Sequence, residues 1–367
     1  MEKWETVEKQ LADVKNHSWT SLLQVYGILK SFFYMTESVS FSVMSSDVLN
    51  TIKTLNKKDL KRFAQILEEI WLLIQQDSER ITAGLYPVQV LRPDWTASHW
   101  YHLAQIWLNG YKKNTGMRSR SKDKVLDLED MEALRDIPEH YKQHYYYAGN
   151  NFLDPDSINI YEHQMELIFL GSFDAMRRLV LAPMKKYFRF SEGEGLRFLE
   201  IGCGSGRMTK FIKNTFPKAK ITLLDASSIY LKEAQKNLMD YNRINFMQGD
   251  ALDLPFKNET FDGVYSSFLL HEMSIDVRKK VLSEAHRVLN EKGWIGIIDF
   301  IQYDDCRELN WVLEQPWFVG SEPHIKDYTM NSLAGLYKYI GFSQVGVERG
   351  FLGKVVYGEK HKQAPPN

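Results

Sequence analysis

The chain has 367 residues, and its 46 Lys and Arg nearly balance its 47 Asp and Glu, which gives a formal net charge of −1. This length favours two domains, and the balanced charge argues against nucleic-acid binding through a bulk basic surface. The first residues lack the pattern of a signal peptide, and no apolar run reaches the roughly 18 residues of a membrane span. The two cysteines are too few for a disulfide framework or a metal site. From these observations together we predict a cytoplasmic protein.

Apolar residues at helical spacing dominate the first 110 residues and predict amphipathic helices. One stripe comprises Trp19, Leu22, Leu23, Tyr26, Leu29 and Phe33, and a second comprises Leu60, Phe63, Leu67, Ile70 and Ile74. A third helix is predicted between an N-cap at Asp94 and Gly110. Core packing is the simplest interpretation of these stripes, and we predict an N-terminal all-helical domain over residues 1–115.

Residues 116–195 are predicted to form a linker and a helical cap. The Lys and Arg residues between 112 and 124 lie among Asn, Ser, Thr and Gly, which is more typical of a solvated linker than of a phosphate-binding patch. The tyrosine-rich stretch 140–150 fits either a pocket wall or ordinary packing, and both interpretations stay open. Residues 161–184 predict one or two helices.

Apolar runs that end in polar or acidic residues alternate with helix-like segments over residues 196–360. The runs are 198–201, 221–225, 245–250, 261–267 and 294–299. A turn at Gly293 precedes the fifth run, and a helix over 327–340 precedes a hairpin formed by 344–348 and 351–358, with its turn at 349–350. This alternation predicts a parallel sheet covered by helices on both faces, with a ligand site beyond the carboxyl ends of the strands.

A glycine-rich turn follows the first run. A dinucleotide-binding G-x-G-x-x-G that started at Gly202 would need glycine where Arg207 stands. The chain instead has E-x-G-x-G-x-G from Glu200 to Gly206, and Asp225 ends the next run about 19 residues later. With these motifs in order, the chain resembles the class I S-adenosylmethionine-dependent methyltransferases over roughly residues 170–360, in particular small-molecule O- and C-methyltransferase cores and an uncharacterised bacterial subgroup.

The resemblance implies an α/β fold with a doubly wound seven-stranded sheet and a methyltransferase domain over residues 196–360. It also implies binding of S-adenosylmethionine, release of S-adenosylhomocysteine and no metal. The implied cofactor-binding residues are Glu200, Gly202, Cys203, Gly204, Gly206, Asp225, Ala226, Asp250, Ala251 and Ser266. Glu200 would hold the amino-acid end, Asp225 the ribose hydroxyls and Asp250 the adenine amine. From the residues alone, helix N-capping by the aspartates and a purely steric role for Cys203 stay open.

His271 and Glu272 follow the fourth run and are the candidate catalytic residues. Histidine titrates near neutral pH and can take a proton from an acceptor hydroxyl. The resemblance to small-molecule O-methyltransferases implies this role, whereas related C-methyltransferases carry histidines here without one, and helix packing is a further alternative. Ile275 stands where a zinc-binding H-E-x-x-H motif would need its second histidine.

We therefore predict an S-adenosylmethionine-dependent methyltransferase that acts on a small-molecule acceptor at oxygen or carbon. The alternatives are a catalytically silent scaffold with the same fold and a nicotinamide-dependent oxidoreductase on a similar sheet. An aromatic segment after the fifth strand, with Trp311, Trp317 and Phe318, is expected to shape the acceptor pocket. No nucleic-acid partner is expected, and the N-terminal helices are candidates for a homodimer interface.

Overall fold

The computed structural model describes residues 18–38, 56–92, 100–101, 103–106, 155–189, 192–319 and 323–361. The predicted domain boundary at 115, the basic cluster at 112–124 and the tyrosine-rich stretch at 140–150 lie outside the described residues, as does the N-cap proposed at Asp94. The described part of the chain consists of N-terminal helices, a helical cap and a mixed sheet.

The helices fall into three groups. The N-terminal group is α1 (18–38) and α2 (Lys57–Thr82), and the cap is α3 (Pro155–Ile168), α4 (Phe173–Arg178) and α5 (Leu181–Tyr187). The remaining helices lie among the strands and are α6 (Arg207–Thr215), α7 (Ser228–Asn237), α8 (Ile275–Val288), α9 (Asn310–Leu313), α10 (Pro316–Val319), α11 (Ile325–Met330) and α12 (Leu333–Ile340). Short 3₁₀ turns occupy Val88–Leu91, Leu270–Glu272 and Arg307–Leu309.

A seven-stranded sheet with the order 3-2-1-4-5-7-6 forms the centre of the protein. Its strands are β1 (Arg197–Ile201), β2 (Lys220–Asp225), β3 (Ile244–Gln248), β4 (Phe261–Ser267), β5 (Leu289–Phe300), β6 (Phe342–Gly350) and β7 (Gly353–Lys360). The first five strands pair in parallel, and β7 runs antiparallel between β5 and β6. The chain reverses its direction across the sheet between β1 and β4, and ligands bind at such a switch point. The predicted doubly wound seven-stranded sheet is confirmed.

Several boundaries differ from the prediction, two of them among the helices. The helix expected over 327–340 is split into α11 and α12, because the Asn331 side chain donates to the Asp327 carbonyl at 2.8 Å and Ser332 caps the next helix by accepting from the Gly335 amide at 3.1 Å. The stretch 161–184 forms parts of three helices rather than one or two, and Gly171 separates the first two with a positive φ of 77°.

The sheet carries the other differences. The hairpin turn lies at residues 351–352, two residues later than predicted, so β6 continues through Arg349 and Gly350. Strand β5 begins at Leu289 instead of Trp294, and its register against β4 shifts between Phe261 and Gly263. The predicted turn at Gly293 therefore lies within an irregular stretch of the strand.

The N-terminal helices pack against the sheet domain. Leu23, Ile70 and Leu73 belong to the same buried apolar cluster as the residues of β1 and β4. Arg178 of α4 donates to both carboxylate oxygens of Asp77 on α2, with Nη2–Oδ2 at 2.6 Å. A fully buried, bidentate pair of this kind fixes the angle between two helices. The described N-terminal helices and the sheet therefore share one core.

Part of each predicted apolar stripe is exposed. On α2, Ile70 and Ile74 are buried, whereas Leu60 and Phe63 are 58% and 44% exposed. On α1, Leu23 is buried, whereas the stripe members Leu22 and Leu29 are exposed by more than half. Val25 and Phe32, which were not part of the predicted stripe, are exposed to a similar degree. Core packing is therefore the wrong interpretation for the exposed members, which form an apolar surface on the described N-terminal helices.

Candidate functional site

A cavity of about 140 Å³ lies at the switch point of the sheet. It is lined by residues that follow β1 and β3, by the last residues of β2, β4 and β5, and by the cap helices α3 and α4. Its lining from the sheet side includes Glu200, Gly202, Cys203, Gly204, Asp225, Ala226, Gly249, Ala251, Ser267, His271, Glu272 and Phe300. Most of the residues predicted from the sequence are therefore brought together in one cavity.

The glycine turn needs glycine for steric reasons. Gly202 has φ of 67°, and a Cβ there would lie 2.6 Å from Leu269 Cδ2. Gly206 has φ of 76°, and a Cβ there would lie 2.7 Å from Leu238 Cδ1. Side chains avoid both this backbone region and such contacts. The turn consequently exposes its backbone to the cavity and starts α6 without a side-chain cap.

Asp225 lines the cavity at the end of β2 and is held by backbone donors. Its Oδ2 accepts from the Gly204 amide at 2.9 Å, and its Oδ1 accepts from the Ser227 amide at 2.9 Å. Burial raises the pKa of this carboxyl to about 6, while the backbone hydrogen bonds from Ser227 and Gly204 oppose the shift. Ser227, not Asp225, caps α7, since its side chain accepts from the Tyr230 amide. The capping alternative for Asp225 is thereby removed.

Three predicted residues lie next to lining residues without lining the cavity themselves, and these are Gly206, Asp250 and Ser266. Asp250 accepts from the Leu252 amide at 2.9 Å, which closes a local turn, while its neighbours Gly249 and Ala251 line the cavity. The Ser266 hydroxyl donates to the Ile201 carbonyl at 2.7 Å and so ties β4 to β1. Within β4, the residue that lines the cavity is Ser267.

Glu200 is buried at the end of β1, beside the glycine turn. Thr209 of α6 donates to its Oε2, and the Thr209 hydroxyl also lies 2.9 Å from the Tyr265 hydroxyl. Burial raises the pKa of Glu200 to about 8 although hydrogen bonds from Thr209 and Tyr265 oppose the shift. Thr209 and Tyr265 were missed by the sequence reasoning, because only the folded sheet places α6 and β4 against the tip of β1.

Cys203 is buried in the glycine turn. Burial, together with the nearby charges of Asp225 and Glu200, raises the pKa of its thiol well above the ordinary value. A thiol in this setting stays protonated and is a poor nucleophile. The geometry supports a steric role for Cys203 as a small residue of the cavity wall.

His271 is held in place by an acid that the sequence reasoning did not assign to it. Its Nδ1 lies 2.7 Å from Oδ1 of Asp299, the fully buried acid near the end of β5. Asp299 also accepts from the backbone amides of Leu270, His271 and Phe300 at 2.9, 3.2 and 2.8 Å. Because the carboxylate is an acceptor throughout, this network assigns the ring proton to Nδ1 and leaves Nε2 as the basic nitrogen. Glu272 lines the same cavity, but the acid on Nδ1 is Asp299.

The cavity wall around His271 is aromatic and apolar. The His271 ring lies 4.8 Å from that of Phe300, and Phe300 lies 5.4 Å from Phe318. Phe268 and Phe169 also lie against Phe300, with ring centres 5.0 and 5.7 Å away, and Met165 and Ile168 of the cap line the same cavity. Phe318 comes from the segment after β5 that was expected to shape the pocket. Trp311 from the same segment instead packs under the Arg62 guanidinium at 4.6 Å and is not part of the lining.

The part of the lining next to the glycine turn carries charge. Glu162 of α3 and Arg177 of α4 line it together with Ser205 and Arg207. Arg207 donates from Nε to Asp174 at 3.0 Å, so the position that a dinucleotide motif would give to glycine is occupied by a buried ion pair. The cavity therefore has a charged wall at the glycine turn and an apolar wall at His271.

The described residues include no group of three or more His, Cys, Asp or Glu side chains suited to a metal ion. Among the same residues, no helix combines the length and the apolar character that a membrane crossing requires.

Known proteins resemble the central part of the chain. The family model described as a methyltransferase domain matches residues 198–293. Demethylmenaquinone methyltransferase from Thermotoga maritima is 35% identical over 105 residues, which cover 29% of this chain and 44% of that protein. Fatty-acid O-methyltransferase from Mycolicibacterium smegmatis is 31% identical over 162 residues, which cover 42% of this chain and 57% of that protein. The chain thus spans about half the length of these relatives.

Among solved structures, the chain is similar to a SAM-dependent methyltransferase from Aquifex aeolicus, at 20% identity and a TM-score of 0.39, over 56% of this chain and 98% of that one. The segment that matches the family model, residues 198–293, contains the glycine turn, Asp225 and His271. It spans β1 to the first part of β5, including the switch point of the sheet. The similarity to methyltransferases therefore covers the part of the chain that forms most of the sheet and the cavity.

Proposed function

We propose that this protein transfers a methyl group from S-adenosylmethionine to a small, apolar acceptor that must lose a proton. The observation that carries the proposal is the pairing of His271 with the buried Asp299 inside a cavity that also contains the glycine turn and Asp225. A histidine in the wall of a cavity at the switch point of the sheet, with its tautomer set by a buried acid, has the arrangement of a general base.

The cofactor side of the cavity fits S-adenosylmethionine. The glycine turn lines the cavity with Gly202 and Gly204, and a Cβ at Gly204 would meet only the Tyr230 ring, at 3.7 Å, so the backbone there leaves room for a ligand. Asp225 is a buried acceptor suited to ribose hydroxyls, and the backbone at Gly249 and Ala251 lies where an adenine ring would pack. Asp250 and Ser266 would contribute indirectly, through the turns that they hold. When bound, S-adenosylmethionine supplies an electrophilic methyl group on a sulfonium.

The residues of the chain would then orient the acceptor and move its proton. His271 Nε2 takes the proton from the acceptor hydroxyl, and Asp299 stabilises the imidazolium that results. The phenylalanines at 268, 300 and 318 exclude water and hold an apolar acceptor against the histidine. Glu272 is within the lining and is retained from the sequence analysis as a secondary catalytic candidate.

The acceptor class follows from the apolar wall. The cations that line the described cavity are Arg177 and Arg207, and both lie on the glycine-turn side. A carboxylate acceptor would lack a positive partner beside Phe300, and it would need no base. A phenolic or enolic hydroxyl needs both the apolar wall and the base. Relatives named for quinone and fatty-acid acceptors support an apolar substrate in general.

Calorimetry with S-adenosylmethionine and S-adenosylhomocysteine is the first test, and binding of neither by folded protein would overturn the proposal. The second test is turnover on a matched panel, in which one apolar ring carries a hydroxyl, a carboxylate or an amine. We expect methylation of the hydroxyl compound to be fastest. Cofactor binding without turnover on any member would favour the silent-scaffold alternative.

The assembly of the chain is a further part of this proposal. The exposed apolar side chains on one face of α1, among them Leu29 and Phe32, support a homodimer formed by the N-terminal helices. Light scattering should give the mass of a dimer, and Leu29→Asp should lower it to that of a monomer. An unchanged mass for Leu29→Asp would exclude this interface. The domain boundary at 115 and a cytoplasmic location remain predictions from the sequence.

A further inference from the structure

We infer that Arg177 and Glu162, from the cap helices, form the subsite for the amino-acid end of the cofactor, with Arg177 binding its carboxylate and Glu162 its ammonium group. The inference rests on the proposed function, since it assigns a part of the same ligand. The motif resemblance implies Glu200 for this end of the cofactor and gives no function to the cap residues.

The first observation is that this pair is bonded to the glycine turn itself. Glu162 Oε1 accepts from the Ser205 hydroxyl at 2.7 Å, and Glu162 Oε2 accepts from Arg177 Nη1 at 2.7 Å. All three residues line the cavity. A positive and a negative side chain thus stand next to each other at the turn, as a ligand that carries both a carboxylate and an ammonium group requires.

The second observation is that Arg177 is held rigidly. Its side chain is 6% exposed, and its guanidinium carbon lies 4.3 Å from the centre of the Phe173 ring. Both of its bonds, to Glu162 and to Asp174 Oδ1 at 3.2 Å, come from Nη1. A guanidinium carries a fork of N–H donors that matches the two oxygens of a carboxylate, so a pre-positioned arginine is well suited to this group.

The third observation is that one buried acid connects Arg177 to the turn. Asp174 accepts from Arg177 Nη1 and from Arg207 Nε, which lies in the first turn of α6. Lys30 of α1 also lies 3.9 Å from Asp174. The position of Arg177 is therefore set relative to the glycine turn by α4, α6 and α1 together. Such support from a second layer of residues is what a precise binding subsite needs.

Glu162 is better suited than Glu200 to meet an ammonium group. Burial raises the pKa of Glu200 to about 8, so this carboxyl keeps its proton near neutral pH before the ligand binds. Glu200 is also only 1% exposed. Glu162 is ion-paired with Arg177 and is a quarter exposed at its side chain, so it presents a charged acceptor to the cavity.

The next residue in the chain provides a matched control. Arg178 donates to Asp77 from Nε and Nη2, and Asp77 also accepts from the Tyr86 hydroxyl at 2.7 Å. Arg178 is as buried as Arg177 but does not line the cavity. Loss of either arginine removes a buried ion pair, whereas only loss of Arg177 should change ligand recognition.

Calorimetry with three ligands tests the subsite. S-adenosylhomocysteine has the whole amino-acid end, decarboxylated S-adenosylmethionine lacks the carboxylate, and methylthioadenosine lacks both groups. Arg177→Met should weaken S-adenosylhomocysteine about 10- to 100-fold, the range for charge-assisted hydrogen bonds. It should leave decarboxylated S-adenosylmethionine and methylthioadenosine within about threefold of the wild type. Glu162→Gln should weaken the first two ligands and spare methylthioadenosine.

The outcomes distinguish a failure of the proposed function from a failure of the subsite assignment. If the wild-type protein binds neither S-adenosylmethionine nor S-adenosylhomocysteine, the proposed function fails. If it binds them and Arg177→Met weakens methylthioadenosine as much as S-adenosylhomocysteine, the subsite assignment is wrong and the arginine is structural. If Arg177→Met does not fold, the same measurements are made on Arg177→Lys, with Arg178→Lys as its control. Equal ligand affinities in these two lysine variants would also overturn the assignment.

Discussion

Replacement of Asp299 by asparagine tests the catalytic assignment most sharply. Oδ1 accepts from His271 Nδ1 and the Phe300 amide, and Oδ2 accepts from the Leu270 and His271 amides. An asparagine amide group placed at Oδ2 would face two backbone N–H donors. If the NH₂ group instead takes the place of Oδ1, it faces the Phe300 amide and His271 Nδ1. Because the histidine ring can move its proton to Nε2, this orientation loses fewer hydrogen bonds and is the favoured one.

The favoured orientation moves the ring proton of His271. The asparagine NH₂ then donates to Nδ1, so the proton resides on Nε2 and the nitrogen that faces the acceptor is no longer basic. We expect turnover to fall by about 10²- to 10⁴-fold, the contribution of a positioned base. The Phe300 amide loses its acceptor, which should lower the free energy of unfolding by about 1–3 kcal/mol.

The assay measures kcat at saturating S-adenosylmethionine, cofactor affinity by calorimetry and the free energy of unfolding in urea. Asp299→Asn should lose turnover while cofactor affinity stays within about threefold, because Asp299 does not line the cavity. Glu272→Gln is the matched control, since it changes an acid that lines the cavity but does not bond to Nδ1. A folded Asp299→Asn variant with more than a tenth of wild-type turnover would refute the assignment.

Three further predictions concern the same cavity. His271→Ala should lower turnover about 100-fold or more at unchanged cofactor affinity, and Glu272→Gln should have a smaller effect. In calorimetry, Asp225→Asn should weaken S-adenosylmethionine about 10- to 100-fold, and Asp250→Asn less, because Asp250 does not line the cavity. The carboxyl of Glu200 keeps its proton up to about pH 8 when folded but only to 4.5 when unfolded, so Glu200 should lower the free energy of unfolding without ligand by at most about 1.4 kcal/mol per pH unit as the pH rises between these values. In urea titrations, Glu200→Gln should remove this contribution, which is measured best above about pH 6, where the raised pKa of Asp225 no longer adds a fall of the same sign.

The sheet and the cofactor side of the cavity could be predicted because they depend on local pattern. An apolar run that ends in an acid marks both a buried strand and a side chain at its carboxyl end, as Glu200 and Asp225 show. Glycine at 202 and 206 is required by the backbone of the turn and is visible in the sequence. The exact boundaries of β5 and of the final hairpin were less accessible, since register shifts depend on the neighbouring strand.

The partners of these residues could not be predicted in the same way. Asp299 ends the fifth apolar run, so the signal for an acid at the sheet edge was present. Its contact with His271 follows only from the adjacency of β4 and β5. Likewise, Glu162 and Arg177 are separated from Ser205 by a long stretch of chain, and they meet it only when the cap packs against α6.

The structure divides the cavity between segments of different origin. The repeating strand–helix units supply Asp225 and the glycine turn, which would bind the cofactor whatever the acceptor. They also supply the His271–Asp299 pair, which would serve any acceptor that must lose a proton. The apolar wall includes Met165 from the cap and Phe318 from the segment after β5. These segments lie outside the repeating units and can change without altering the sheet. Exchange of these wall residues should therefore change which acceptor is methylated, whereas changes to the strand ends should alter cofactor affinity or rate for every acceptor.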